Sequence, residues 1–278
     1  MTSQLFHRVL IPLDGSELAL RVMDQFFSMP LPSNCSVTLI HVMQSEERST
    51  EADAYLTEVR RSSGRHSVSV LVCQGDPAAE ILRCSTQLGT TLLVMSAHGR
   101  SGVKRILLGS VTEEVVRQSC IPVLVWNPLS ALAAKRPVLV PHDGTACADQ
   151  IIPVVVDLAT QWGLPVTLLH VLSGQSHPTR LSSRLDFPAQ SAEETEARLG
   201  AQGLAYPLHV MESAGITVSR TTSSAPPVQA ILAAAKECGL VAMATHGRTG
   251  FPRWAFGSVT ESVLRACPCP LLTTRVQA

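Results

Sequence analysis

Apolar runs alternate with amphipathic segments along the chain, in the repeating order strand, helix, strand. In the first half, apolar runs predict strands at His7–Leu13, Val37–Val42, Ser67–Cys73, Thr91–Met95 and Pro122–Trp126. Apolar residues at helical spacing between these runs predict helices over Ser16–Ser28, Glu51–Arg61, Pro77–Leu88 and Ser110–Ser119. Continuous apolar strands that alternate with helices are typical of a parallel sheet covered on both faces.

The second half repeats this order. Asp143-Gly-Thr follows an apolar run 129 positions after Asp14-Gly-Ser, and VTLLHV at 166–171 matches VTLIHV at 37–42. The chain therefore predicts an α/β fold with two tandem doubly wound domains, 1–128 and 136–278, joined by a linker over 127–136. Each domain is predicted to hold a five-stranded parallel sheet in the order 3-2-1-4-5.

The repeat is not perfectly regular. Gly247 follows Gly99 by 148 positions, so the second half carries a net insertion of nineteen residues, mainly in 172–214. A helix is predicted over 192–204 within this insertion. The segment is either a plain surface elaboration or a lid or interaction surface.

A glycine-rich motif follows the fourth predicted strand of each half. It contains Ser96, His98, Gly99, Arg100, Gly102, Gly109 and Ser110 in the first half, and Ala244, His246, Gly247, Arg248, Gly250, Gly257 and Ser258 in the second. A glycine-rich turn between a strand and a helix directs backbone N–H groups to one point beside the positive end of the helix dipole, which suits a phosphate. In the predicted strand order this motif meets Asp14 or Asp143 where such sheets bind their ligands.

Composition and charge narrow the class of protein. The formal net charge of zero argues against a duplex nucleic-acid binder, and no apolar run approaches the roughly 20 residues that span a bilayer. The first residues lack the pattern of a secretion signal, so a cytoplasmic protein is expected. The eight cysteines are interpreted as buried free thiols, with redox sensing at Cys267 or Cys269 as the alternative.

The sequence lacks the motifs that several catalytic mechanisms require. Neither GxxxxGK[ST] nor a GxGxxG after a first strand occurs, so the P-loop mechanism and a dinucleotide site are unsupported. His41 and His170 lie inside apolar strands and are interpreted as core histidines with satisfied hydrogen bonds. His98 and His246 have no carboxylate partner to orient them, so loop positioning is favoured over proton transfer. No catalytic residue is predicted.

These motifs together resemble the universal stress protein family in its tandem form. The resemblance rests on VLIPLD ending at Asp14, LIHV ending at Val42, Gly75-Asp-Pro and the glycine motif, in order and over nearly the whole chain. It implies the adenine nucleotide alpha-hydrolase-like fold, with ATP, ADP or AMP bound between strands 1 and 4 and Mg²⁺ held through the phosphates. It also implies a stress-response regulator rather than a fast enzyme.

The resemblance also assigns site residues. The family pattern is Gly, two residues, Gly, nine residues, Gly and then Ser or Thr; its first glycine is replaced here by Ser96 and Ala244. Asp14 and Asp143 would lie by the ribose or a phosphate-bound metal, and Val42 and Val171 would offer backbone groups to adenine. The remaining nucleotide-binding residues, besides those of the glycine motif, are Pro12, Leu13, Val111, Pro141, His142 and Val259.

Alternatives remain at several of these positions. Asp14 could serve only as a turn or cap residue, and Ser110 and Ser258, each followed by Glu at the third position, form possible capping boxes. The protein could instead be a scaffold without nucleotide, or a slow ATP hydrolase. The two halves are expected to pair face to face through their last strands as a pseudo-twofold dimer within one chain, which could dimerise again.

Overall fold

A computed structural model describes residues 4–43, 49–63, 67–97, 108–127, 136–171, 203–245 and 257–276. Its strands are β1 Arg8–Pro12, β2 Ser36–Met43, β3 Val68–Gln74, β4 Leu92–Ser96, β5 Val123–Trp126, β6 Val138–His142, β7 Val166–Val171, β8 Val218–Ser223, β9 Leu240–Thr245 and β10 Leu271–Arg275. Its helices are α1 Glu17–Phe27, α2 Ser49–Ser62, α3 Pro77–Gln87, α4 Ser110–Gln118, α5 Ala146–Asp149, α6 Ile152–Trp162, α7 Ala205–Ser213, α8 Pro227–Ala235 and α9 Ser258–Ala266.

All ten strands form one sheet, in the order β3-β2-β1-β4-β5-β10-β9-β6-β7-β8. Within each half the strands are parallel and follow the order 3-2-1-4-5. The predicted fold class is therefore confirmed in both halves. The alternation of apolar runs with helices is sufficient to predict this strand order, because parallel neighbouring strands need helical crossovers and right-handed crossovers permit few orders.

The halves meet where β5 pairs antiparallel with β10. Leu271 faces Val125, Leu272 faces Leu124 and Thr273 faces Val123. The prediction that the last strands pair is confirmed, but the halves join edge to edge in one sheet rather than face to face. This arrangement satisfies the backbone N–H and C=O groups that an edge strand would otherwise expose. Because the junction is antiparallel, the strands of the two halves point their carboxyl ends toward opposite edges of the sheet.

Helices of both halves pack on each face of this sheet. On one face Phe6, which is fully buried, lies 5.3 Å from Trp162 of α6 and 6.4 Å from Phe26 of α1, measured between ring centroids. The backbone N–H groups of Gln4 and Leu5 both donate to Oδ2 of Asp157, each at 3.0 Å. The amino-terminal segment of the first half is thus docked on α6 of the second half.

Two predicted segments lie outside the described residues. They are most of the linker, at 128–135, and the helix predicted over 192–204 except for its last two positions. The described helix at the end of the insertion is α7. Within the described part of the chain, no helix combines the length and the apolar character needed to cross a membrane.

Candidate functional site

The candidate site lies where β1 and β4 end in the first half, and where β6 and β9 end in the second. β1 and β4 are neighbours, with Val9 level with Leu92 and Leu10 level with Leu93. Because both strands run in the same direction, the residues that follow them reach the same edge of the sheet. The predicted site residues outside the described chain are His98, Gly99, Arg100, Gly102, His246, Gly247, Arg248 and Gly250.

The chain returns to β4 at the end of the glycine motif. The backbone N–H of Gly109 donates to the carbonyl of Ala97 at 2.9 Å, and the hydroxyl of Thr112 donates to the carbonyl of Ser96 at 2.8 Å. These bonds attach the start of α4 to the end of β4. Thr112 was not among the predicted site residues, although threonine recurs at the equivalent position of the second half as Thr260, which is also buried.

Helix α4 starts at Ser110, as predicted, but its cap differs from the prediction. Gly109 and Gly257 are the N-cap residues of α4 and α9, with φ, ψ of −63°, 138° and −62°, 130°, and neither helix has a side-chain cap. Ser110 and Ser258 are instead the first helical residues, so the predicted capping boxes are wrong. The first-turn N–H groups of a helix have no partner inside the helix, and here no cap side chain satisfies them. This leaves donors directed at the edge where an anionic ligand is expected.

The aspartates after β1 and β6 organise tight turns. Oδ1 of Asp14 accepts from the N–H of Ser16 at 3.0 Å and from its hydroxyl at 2.6 Å. Oδ1 of Asp143 accepts from the same two groups of Thr145 at the same distances. Gly15 and Gly144 between them have φ of 83° and 79°, which favours glycine. The turn role of Asp14 and Asp143 is therefore present in both halves, and it fixes each carboxylate at the strand end.

The serine and alanine that replace the first glycine of the motif fit their positions. Ser96 is the last residue of β4, and Ala244 lies inside β9. A residue in extended strand conformation needs no left-handed dihedral, so the side chains of Ser96 and Ala244 cause no backbone strain. The first of the three glycines is therefore dispensable for the path of the backbone here.

His41 and His170 are buried and hydrogen-bonded, as predicted. Nδ1 of His41 lies 2.7 Å from the carbonyl of Leu13, and Nδ1 of His170 lies 3.0 Å from the carbonyl of His142. A carbonyl can only accept, so Nδ1 carries the proton in both. Each ring thus ties the second strand of its half to the end of the first, next to Val42 or Val171.

His142 distinguishes the second site from the first, where Leu13 occupies the same position. Its Nδ1 accepts from the N–H of Gly144 at 3.0 Å, and its Nε2 lies 3.1 Å from Oδ1 of Asp149. The ring is therefore neutral with its proton on Nε2. Burial lowers the pKa of His142 and outweighs the opposing effect of Asp149. Asp149 was not among the predicted site residues, because its contact with His142 depends on the path of α5.

This histidine gives a pH-dependence with a definite sign. Unfolded histidine takes up a proton near its ordinary pKa of 6.5, whereas folded His142 takes one up only at lower pH. The stability that depends on neutral His142 is fully present above pH 6.5, and acidification below that value removes it. We expect the Tm to fall between pH 7.5 and pH 5, and to fall less in His142→Gln. An equal decline in both proteins would contradict this assignment.

Glu113 in the first turn of α4 links the two halves. Its carboxylate accepts from Arg117 at 2.9 Å and from Arg265 of α9 at 2.8 Å. Arg265 also bonds Glu261 of its own helix at 3.2 Å. The start of α4 and the end of α9 are thus joined by an ion pair across the junction. Local sequence patterns do not reveal this contact.

Comparisons with known proteins agree with this architecture. The family model described as "Universal stress protein family" matches residues 5–127 and 135–275. A universal stress protein of Mycobacterium tuberculosis is 25% identical over 250 residues, covering 84% of this chain and 74% of that protein. Another from Mycolicibacterium smegmatis is 26% identical over 271 residues, covering 86% and 87%.

Solved structures show the same fold. The crystal structure of a universal stress protein from Archaeoglobus fulgidus matches with a TM-score of 0.70 and 22% identity. The match covers 97% of this chain and 98% of that one. Both halves are therefore contained in the shared architecture.

Proposed function

We propose that this chain, which belongs to the universal stress protein family, binds an adenine nucleotide such as ATP at the strand ends of one or both halves. Through that binding it would act as a nucleotide-dependent regulator of a stress response. The observation that carries the proposal is the start of α4 and of α9. In both halves a helix with glycine at its N-cap, and therefore no capping side chain, starts at the carboxyl edge of the sheet, beside an aspartate fixed by its turn.

The described residues suit the parts of a nucleotide. The first-turn N–H groups of Ser110 and Val111 offer donors to the phosphates, and Ser258 and Val259 offer the same in the second half. A backbone without a side chain at Gly109 and Gly257 lets phosphate oxygens approach closely. Asp14 and Asp143 would contact the ribose or a Mg²⁺ ion that the phosphates bring, since Mg²⁺ is commonly bound through one or two carboxylates and substrate phosphates.

Adenine would be held by strand backbone. Val42 and Val171 are half-buried at the ends of β2 and β7, next to β1 and β6. Adenine presents an N–H donor and a nitrogen acceptor side by side, and guanine presents these groups in the reverse order. A fixed pair of backbone groups therefore accepts adenine and rejects guanine, because the buried polar groups would be left unpaired with the wrong base.

Calorimetric titration of the full chain with ATP and Mg²⁺ tests the proposal. We expect saturable binding of ATP at one or two sites per chain. GTP is the matched control, and we expect it not to bind. No heat and no thermal shift with ATP would contradict the proposal and favour a scaffold that works through protein contacts. Steady phosphate release that Asp14→Ala and Asp143→Ala abolish would instead favour a slow ATP hydrolase.

A further inference from the structure

Two cysteine side chains lie against each other in the first half. Cys73 is near the end of β3 and Cys84 is in α3, and their Sγ atoms are 3.4 Å apart. Cys73 is half-buried, whereas Cys84 is 2% exposed. Both are free thiols. One sulfur therefore faces the protein interior and the other is open to small molecules from solvent.

A guanidinium group lies beside both sulfurs. Nη2 of Arg83 is 3.4 Å from Sγ of Cys84 and 4.0 Å from Sγ of Cys73. Glu80 holds Arg83 in place, since Nη2 donates to its Oε2 at 2.6 Å and Nε contacts both carboxylate oxygens at 3.0 and 3.1 Å. A fixed positive charge favours the thiolate form, which is the nucleophile in thiol oxidation.

We propose that Cys73 and Cys84 form a reversible disulfide when the protein meets a hydroperoxide, which makes them a redox modification site of the first half. This inference goes beyond nucleotide binding and does not depend on it. The distance between the sulfurs requires only a small approach of β3 and α3 for a bond to form.

The chemistry proceeds in two steps. The Cys73 thiolate attacks the terminal oxygen of the hydroperoxide, the O–O bond breaks, and the alkoxide leaves as an alcohol, or as water from hydrogen peroxide, after taking a proton. Cys73 is then a sulfenic acid, oxidised by two electrons. The Cys84 sulfur attacks the Cys73 sulfur, the S–S bond forms, and hydroxide leaves with the Cys84 proton as water.

The environments of the two thiols assign these roles. Burial, helped by the hydrogen bond with Cys73, raises the pKa of Cys84 to about 11, so Cys84 stays protonated until it reacts. Cys73 is the more exposed sulfur and therefore meets the oxidant first. Arg83 can stabilise negative charge on either sulfur and on the departing hydroxide.

The second half lacks both thiols. Cys73 is level with Val42 in the β2–β3 register, and Ser223 occupies the same place beside Val171 in the β7–β8 register. Cys84 is seven residues after Pro77, the first residue of α3, and Ala234 is seven residues after Pro227, the first residue of α8. Cys73→Ser and Cys84→Ala therefore introduce residues that the same fold already accepts.

A metal site is the rival explanation for the same residues. The ligand atoms of Cys73, Glu80 and Cys84 lie within 4.8 Å of one another. However, Arg83 already bonds both oxygens of Glu80, and a divalent ion would have to displace this cation. Structural zinc sites use four protein ligands, and these three are the only such group in the described residues. The arrangement therefore favours thiol oxidation over metal binding.

Peptide mapping of the intact protein tests the proposal. Trypsin cuts after Arg65, Arg83 and Arg100, so Cys73 and Cys84 leave in separate peptides, 66–83 and 84–100. After treatment with a small excess of hydrogen peroxide, we expect these peptides to be joined with the loss of two hydrogens and separated again by dithiothreitol. Cys267 and Cys269 share the peptide 266–275, so a bond between them is distinguishable in the same digest.

Variants and stability give a second readout. A disulfide that closes so short a loop is expected to raise the Tm of the oxidised protein by roughly 3 to 8 °C. Cys73→Ser and Cys84→Ala should each abolish this rise while leaving the Tm of the reduced protein within about 2 °C of the parent. Peptides that stay separate, or a Cys73 that proceeds to sulfinic acid while Cys84 stays free, would overturn the proposal. Zinc retained at one ion per chain, lost in both variants and blocking oxidation would overturn it in favour of a metal site.

Discussion

Gly109→Asp is expected to weaken ATP binding in the first half at least about 100-fold while leaving the chain folded. The new carboxylate would accept from the first-turn N–H groups of α4 that are proposed to bind phosphate. It would also place a negative charge beside the phosphates. Two unit charges about 4 Å apart interact by roughly 4 kcal/mol near a protein surface, which is more than the 100-fold loss requires.

The fold is expected to tolerate this change because of the conformation of Gly109. Its φ of −63° and ψ of 138° are open to every residue, so no left-handed dihedral is lost. Aspartate is one of the preferred N-cap residues, and replacing glycine by it is worth a few tenths of a kcal/mol in favour of the helix. The Tm of the variant without nucleotide should therefore equal or slightly exceed that of the parent.

The matched control is Gly109→Asn, which has nearly the same shape and caps the helix without a charge. It should weaken binding less than the aspartate, and the difference measures the electrostatic part. Gly257→Asp should act in the same way on the second half alone. Titration of each single variant and of the double variant then separates the sites. Full ATP affinity in the double variant would show that the phosphates bind elsewhere.

Phe6→Ala is expected to destabilise the whole chain by about 3 to 5 kcal/mol, the usual cost of removing a fully buried phenylalanine ring. Phe6 packs between Phe26 of the first half and Trp162 of the second, so the cavity would open where the halves meet. In a chain of this size, that loss corresponds to a fall in Tm of roughly 10 °C. Thermal unfolding followed by tryptophan fluorescence, to which Trp162 contributes, measures it.

Phe6→Leu provides the comparison for this experiment. Leucine keeps most of the apolar volume and loses the ring, so its cost should stay below about 1.5 kcal/mol. Equal losses in both variants would mean that ring contact with Trp162 matters more than the filled volume. A loss below 1 kcal/mol in Phe6→Ala would contradict the packing of the amino-terminal segment on α6.

Much of the fold could be predicted because its causes are local. The strand Val166–Val171 is an apolar run that repeats Val37–Val42, and Ser16, where the first helix was predicted to start, is its N-cap. Ser16 accepts from the N–H of Ala19 at 3.2 Å. Because the motifs recur in the second half, each prediction made for the first half also applied there. The pairing of β5 with β10 was also predictable, since an apolar last strand in each half needs a partner.

The parts that could not be predicted depend on how the helices, strands and turns pack against one another. Ser110 looks like a cap in sequence, but Gly109, whose N–H bonds to Ala97, is the N-cap, and Ser110 is the first helical residue. The contacts of Asp149 with His142, and of Arg265 with Glu113, join residues whose proximity only the folded chain determines. The same holds for Cys73 and Cys84, which meet because α3 packs back on β3.

The antiparallel junction of β5 and β10 has a consequence for how such a chain is recognised. The carboxyl ends of the strands, where the candidate sites lie, face away from each other in the two halves. A single flat surface of another protein can therefore cover only one of the two sites. A partner that binds only when a site holds nucleotide would therefore contact one half only. One chain could hold two such partners on opposite sides and report a different occupancy to each of them.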